Sequence, residues 1–128
     1  MGVDRAHVDS WVAGYEAAWR TAGTGSLAAL FTPDATYSMS PWREPVAGLD
    51  ALASLWESER DGPDEPFTLE AEIVAVDGDT AVVRVAVDYG RATGGGQWRD
   101  LWVLRFAPDG RCRAFEEWPF APRQRDGH

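Results

Sequence analysis

The stretch WRDLWVLRF, residues 98–106, alternates as a strand does, and its two faces are unlike. Trp98, Asp100, Trp102, Leu104 and Phe106 fall on one side, and Arg99, Leu101, Val103 and Arg105 on the other. The aromatic side is the one that belongs in a core, yet it carries a carboxylate. Stripping a carboxylate of water costs several kcal/mol unless a partner compensates. The question the strand raises is what lies over Asp100.

Outward from this strand, residues 67–76, 81–91 and 111–120 also favour extended structure. DGD at 77–79, TGGG at 93–96 and PDG at 108–110 read as hairpin turns, which makes residues 97–107 the third strand of a four-stranded antiparallel meander. In the strand before it, Val83, Val85, Val87 and Tyr89 share the inner face, while Arg84 and Asp88 point out. If Asp109 and Gly110 form a two-residue turn, Pro108 opposes Arg111, Phe106 opposes Arg113, Leu104 opposes Phe115 and Trp102 opposes Glu117. Glu117 then faces inward beside Asp100. A three-residue turn flips the last strand and presents Cys112, Ala114, Glu116 and Trp118 instead.

The first half of the chain reads as helical. Asp4 is the N-cap of a helix whose apolar residues Val8, Trp11, Val12, Tyr15, Trp19 and Ala22 recur at helical spacing until AGTG at 22–25. A short second helix at 26–31 precedes a strand from Ala35 to Met39, Pro41 opens a loop, and a third helix runs from Leu49 to Arg60. The fold class is α+β: a cone-shaped, curved antiparallel sheet wrapped around the long N-terminal helix, in the order α-α-β-α-β-β-β-β. Residues 1–128 form one domain on this reading.

Composition narrows the function. Twenty-one acids against 12 bases give a net charge of −9, which argues against nucleic acid or an anionic membrane as partner. All 12 bases are Arg, so Schiff-base and phosphate-loop lysine chemistry is excluded. The codon bias behind a chain without Lys or Asn, and with Ile73 as its one Ile, points to a GC-rich bacterial genome. Cys112 stands alone and the N-terminus lacks an apolar signal segment, which predicts a soluble, cytoplasmic protein. Asp4 and His7 share a helical face, but the reading there is a solvated first turn, and no metal or cofactor is expected. Seven Trp are enough to line a cavity as well as fill a core. Leu101 and Val103, bracketed by Arg99 and Arg105 on the outer face, predict a homodimer through that face.

This element order, with YEAAWRTAGTGSLAALFTPDATY at 15–37, resembles the nuclear-transport-factor-2-like superfamily in its SnoaL-like and ketosteroid-isomerase-like branch. The resemblance makes Tyr15 the counterpart of the isomerase tyrosine that donates to a developing oxyanion, and Trp56 the counterpart of a supporting tyrosine. It also shows departures. Met39 stands where the isomerases carry their general base, and Trp102 where they carry an oxyanion-site acid, with Asp100 one step away on the same face. The Asp-Arg-Asp trio of limonene-epoxide-type hydrolases and the strand histidine of some cyclases find no match.

The candidate catalytic residues are therefore Asp100, Glu117 and Tyr15. Two close carboxylates among aromatic rings cannot both ionise cheaply, so the pair is suited to act as acid and base. Trp19, Met39, Trp42 and Trp56 from the first half, with Trp98, Trp102 and Phe115 from the sheet, are the candidate ligand-binding side chains. The function so read is an enclosed conical pocket for a hydrophobic, cyclic or aromatic small molecule, with cofactor-free isomerase, dehydratase or cyclase chemistry. The alternative is a non-catalytic ligand-binding or protein-docking module. A bridge from Asp100 to an arginine such as Arg43 would favour the second.

Overall fold

Asp4 begins the first helix by accepting a hydrogen bond from the His7 backbone N–H at 2.8 Å. A computed structural model of the chain describes residues 2–59, 66–90 and 96–125. In these, α1 (Arg5–Trp19), α2 (Leu27–Leu30) and α3 (Leu49–Glu59) accompany β1 (Phe31–Ser38), β2 (Val46–Ala47), β3 (Thr68–Asp77), β4 (Thr80–Asp88), β5 (Gln97–Phe106) and β6 (Cys112–Phe120). The strands form one sheet in the order β2-β1-β6-β5-β4-β3. The β3–β6 meander is antiparallel throughout, but β1 joins β6 in parallel, so the sheet is mixed at that seam.

Four expectations shift. Helix α1 ends at Trp19, with Arg20 as its cap, so Ala22 lies beyond it and is exposed. Strand β1 starts at Phe31 rather than Ala35, and the loop after Pro41 contains the two-residue strand β2, which pairs with Thr36 and Tyr37. His7 is not a solvated first-turn residue: Nε2 lies 2.7 Å from the Gly110 carbonyl and the ring packs edge-on against Phe106. Arg60, most of DGPDEP and most of TGGG lie outside the described residues.

The curved sheet cups α1. Val8, Trp11, Val12, Tyr15 and Ala18 are buried against it, at the spacing of one helical face. Across from them Val83 and Val85 of β4 and Trp102, Leu104 and Phe106 of β5 point inward, as the alternation predicts. Trp11 also donates from Nε1 to the Leu30 carbonyl at 2.9 Å, tying α1 to α2. Trp56 of α3 is 2% exposed and packs edge-on against both Tyr15 and Trp19. Its truncation to Ala is worth about 3–5 kcal/mol by the usual cost of emptying such a site.

The last strand reaches its register by an unexpected route. The β5–β6 turn has three residues: Ala107 N–H donates to the Arg111 carbonyl at 2.8 Å, and Gly110 takes φ +89°. Phe106 therefore opposes Cys112, not Arg113. Continued, that register would set Glu116 opposite Trp102. A bulge at Arg113 adds one residue to β6, so that Arg105 opposes Ala114, Leu104 opposes Phe115 and Trp102 opposes Glu117. Cys112 and Phe115, three apart in sequence, are both fully inside as a result.

Candidate active site

Beyond Trp19 the helix no longer fills the cup, and a cavity of about 450 Å³ remains. Tyr15 and Trp19 close its helix side, Tyr37, Met39 and Ser40 its β1 side. Phe67, Leu69, Val87 and Tyr89 form the β3–β4 wall, and Trp98, Asp100, Trp102, Glu117 and Pro119 the β5–β6 wall. Arg43 and Glu59, both exposed, stand at its rim.

Asp100 lies opposite Pro119 and Glu117 opposite Trp102, so two-residue alternation puts both acids on the inner face of neighbouring strands. Asp100 is 7% exposed. Burial raises its pKa above the usual carboxylate value, against a smaller lowering by its hydrogen bond with Glu117. Burial raises the Glu117 pKa still more, the Asp100 hydrogen bond and charge add to it, and the Trp102 indole, 3.4 Å from Oε2, opposes it. A hydrogen bond between two carboxyls requires a proton on one of them. The pair therefore titrates as a unit, with an acid and a base side by side. Asp100 Oδ1 is buried without a partner, and among the described residues Asp100 enters no ion pair, with Arg43 or any other arginine.

Tyr15 does not donate to either acid. Its hydroxyl meets that of Tyr37 at 2.8 Å. Burial is the main cause that raises both phenols far above their ordinary value, and the charge of Glu117 adds to each. Both hydroxyls thus stay protonated at neutral pH. Phe115 stacks on each ring, with interplanar angles of 3° to Tyr15 and 5° to Tyr37, and so fixes the planes that let the hydroxyls meet.

Seven of the ten residues named from the sequence line the cavity: Asp100, Glu117, Tyr15, Trp19, Met39, Trp98 and Trp102. Trp56 and Phe115 lie behind its wall, packed on residues that line it. Trp42 lies elsewhere; it is 96% exposed, beside Pro41, Pro45 and Trp118 in a second cleft. Tyr37 is the polar residue the sequence reading passed over. It shares strand parity with Met39, a residue the sequence marks as lining, and that alternation is the signal for it. Among the described residues no cluster of three or more His, Cys, Asp or Glu is arranged to hold a metal.

The profile of the SnoaL-like domain family matches residues 12–115. The chain belongs to that family, and its fold is that of nuclear-transport-factor-2-like proteins. Among solved structures it is similar to a putative SnoaL-like polyketide cyclase from Jannaschia sp. CCS1, with 18% identity, a TM-score of 0.71, and 92% of this chain and 91% of that one covered. It is similar to a ketosteroid isomerase-like protein from Erwinia carotovora atroseptica SCRI1043, with 26% identity, a TM-score of 0.65, and 91% and 96% covered. A steroid delta-isomerase from Pseudomonas aeruginosa aligns at 20% identity and a TM-score of 0.66, with 95% and 85% covered. Among curated proteins none matches the chain. No helix of the described residues is long and apolar enough to cross a membrane.

Proposed function

We propose that the protein binds a cyclic, largely apolar small molecule in this cavity and moves a proton on it without a cofactor, as an isomerase, dehydratase or cyclase would. Asp100 carries the reading: a buried carboxyl, raised in pKa, in no ion pair among the described residues, sharing a proton with a second raised carboxyl. In the singly protonated pair one carboxylate accepts a proton from the substrate while its neighbour supplies one, and a positioned group of this kind is worth roughly 100- to 10,000-fold. The hydroxyl pair of Tyr15 and Tyr37, with one O–H spent between them, has one left to donate to developing negative charge.

The test is native mass spectrometry of freshly purified protein for a retained small molecule, followed by deuterium uptake from heavy water into that molecule. Uptake catalysed by the wild type and lost in Asp100→Asn and Glu117→Gln is expected. A retained molecule with no uptake supports the binding-only module, and uptake unchanged in both variants removes the two acids from the chemistry.

The reading includes a homodimer. The outer face of the sheet carries half-buried Leu101, Val103 and Val82, with Trp118 and Phe120 exposed beside them and Arg99 and Arg105 at the edge. A reducing cytoplasm suits Cys112, whose thiol is buried and pushed up to about 12.

A further inference from the structure

We infer that the molecule this cavity takes is an organic cation: a ring system bearing a protonated amine whose N–H groups meet Asp100 and Glu117 and whose charge lies against the surrounding aromatic rings. The inference rests on the cavity being the ligand site, as proposed above, and adds the sign of the ligand's charge.

Asp100 gives the first reason. It is 7% exposed, its side chain lines the cavity, and Oδ1 has no hydrogen-bond partner. A buried acceptor of this kind calls for a donor, and the described protein supplies none beyond the neighbouring carboxyl of Glu117. An apolar ligand would leave it unpaired, and an anion would be repelled by the pair. An ammonium both donates and neutralises the one negative charge that the singly protonated pair carries.

The walls give the second reason. Trp19, Phe67, Tyr89, Trp98 and Trp102 converge on the same space, and the faces of such rings attract cations. One of them already hosts one: the Arg20 guanidinium lies 3.8 Å from the centroid of Phe67. The charge of the lining agrees. Asp100, Glu117 and Glu59 are acidic, Arg43 alone among the described lining residues is basic, and the whole chain carries −9.

The test uses matched probes on one skeleton: 2-(2-naphthyl)ethylammonium, 2-(2-naphthyl)ethanol and 2-naphthylacetate, titrated calorimetrically into the full-length wild-type protein. The ammonium is expected to bind about tenfold or more tighter than either analogue. Asp100→Asn and Glu117→Gln should each shrink the preference for ammonium over alcohol. An alcohol that binds as well as the ammonium overturns the charge assignment and leaves the cavity reading standing; a carboxylate that binds best also overturns it. Failure of all three probes overturns the inference and weighs against the cavity as the ligand site. The comparison of the three probes is read on the wild type, so the proposal stays testable should a variant fold poorly.

Discussion

Tyr15 and Tyr37 come from different elements, and their hydroxyls meet at 2.8 Å because Phe115 stacks on both rings. Neither oxygen is placed by its own helix or strand alone. The bond depends on β1 lying beside β6, where Tyr37 pairs with Phe115.

Removing one hydroxyl leaves the other buried and short of a partner. Tyr37→Phe and Tyr15→Phe are each expected to cost about 1–3 kcal/mol of stability. The double variant is expected to cost less than the sum, with a coupling of about 1 kcal/mol. Denaturant unfolding of the four proteins checks this, and strict additivity would show that the bond contributes nothing to folding.

Glu117 gives stability a pH slope. Its folded pKa is raised well above the usual carboxylate value, chiefly by burial, and that of Asp100 is raised as well. The folded state therefore holds the shared proton more tightly than the unfolded chain does. The linked stabilisation is full below the unfolded pKa and is lost as pH rises through the folded pKa. Glu117→Gln is expected to flatten this slope from about pH 4.5 upward. Thermal melts across that window decide, and an unchanged slope in the variant would falsify the assignment to the pair.

Ketosteroid isomerase activity is expected to be negligible. Met39 lines the cavity at the position that the sequence resemblance assigns to the isomerases' base, and it cannot accept a proton. Loss of a positioned base costs roughly 100- to 10,000-fold. A spectrophotometric assay with an unconjugated steroid enone checks this. Turnover that survives Asp100→Asn and Glu117→Gln together would locate the proton carrier elsewhere.

The proposed dimer makes a simple demand. Light scattering at micromolar concentration is expected to give twice the chain mass, and Leu101→Glu with Val103→Glu is expected to halve it by placing charge in an apolar contact. A monomeric wild type, or a dimer indifferent to both changes, contradicts it.

Gly110 is expected to tolerate no side chain. Its φ of +89° lies where L-residues pay about 1–2 kcal/mol. A Cβ there would also stand 2.8 Å from the His7 ring. Gly110→Ala should destabilise by more than the backbone term alone, and His7→Ala should restore the excess without restoring the rest, as measured by denaturant unfolding.

The period-two alternation of β4 and β5 was legible residue by residue, because each inward position faces one continuous core and a slip by one would expose all of them. The helical spacing of α1 was legible for the same reason, though not its end, where Ala22 continues the pattern after the backbone has left the helix. Asp100 and most of the aromatic lining followed from that alternation, whereas the inward face of Glu117 rested on a two-residue turn that the chain does not make. Trp42 did not follow, since a loop residue has no parity to place it.

What the sequence determined by itself was local: which face of each strand and helix is apolar, and hence that an acid had to lie within an aromatic wall. What the tertiary structure decided was everything that joins distant segments. The three-residue turn at Pro108–Gly110 would have turned Glu117 outward, and the bulge at Arg113 turned it back, a cancellation that no pattern within β6 records. The contact of Tyr15 with Tyr37 and the docking of His7 on Gly110 arise in the same way. Hydrogen bonds of this kind join groups that are far apart along the chain, and their geometry is set by the packing of whole elements rather than by the residues on either side.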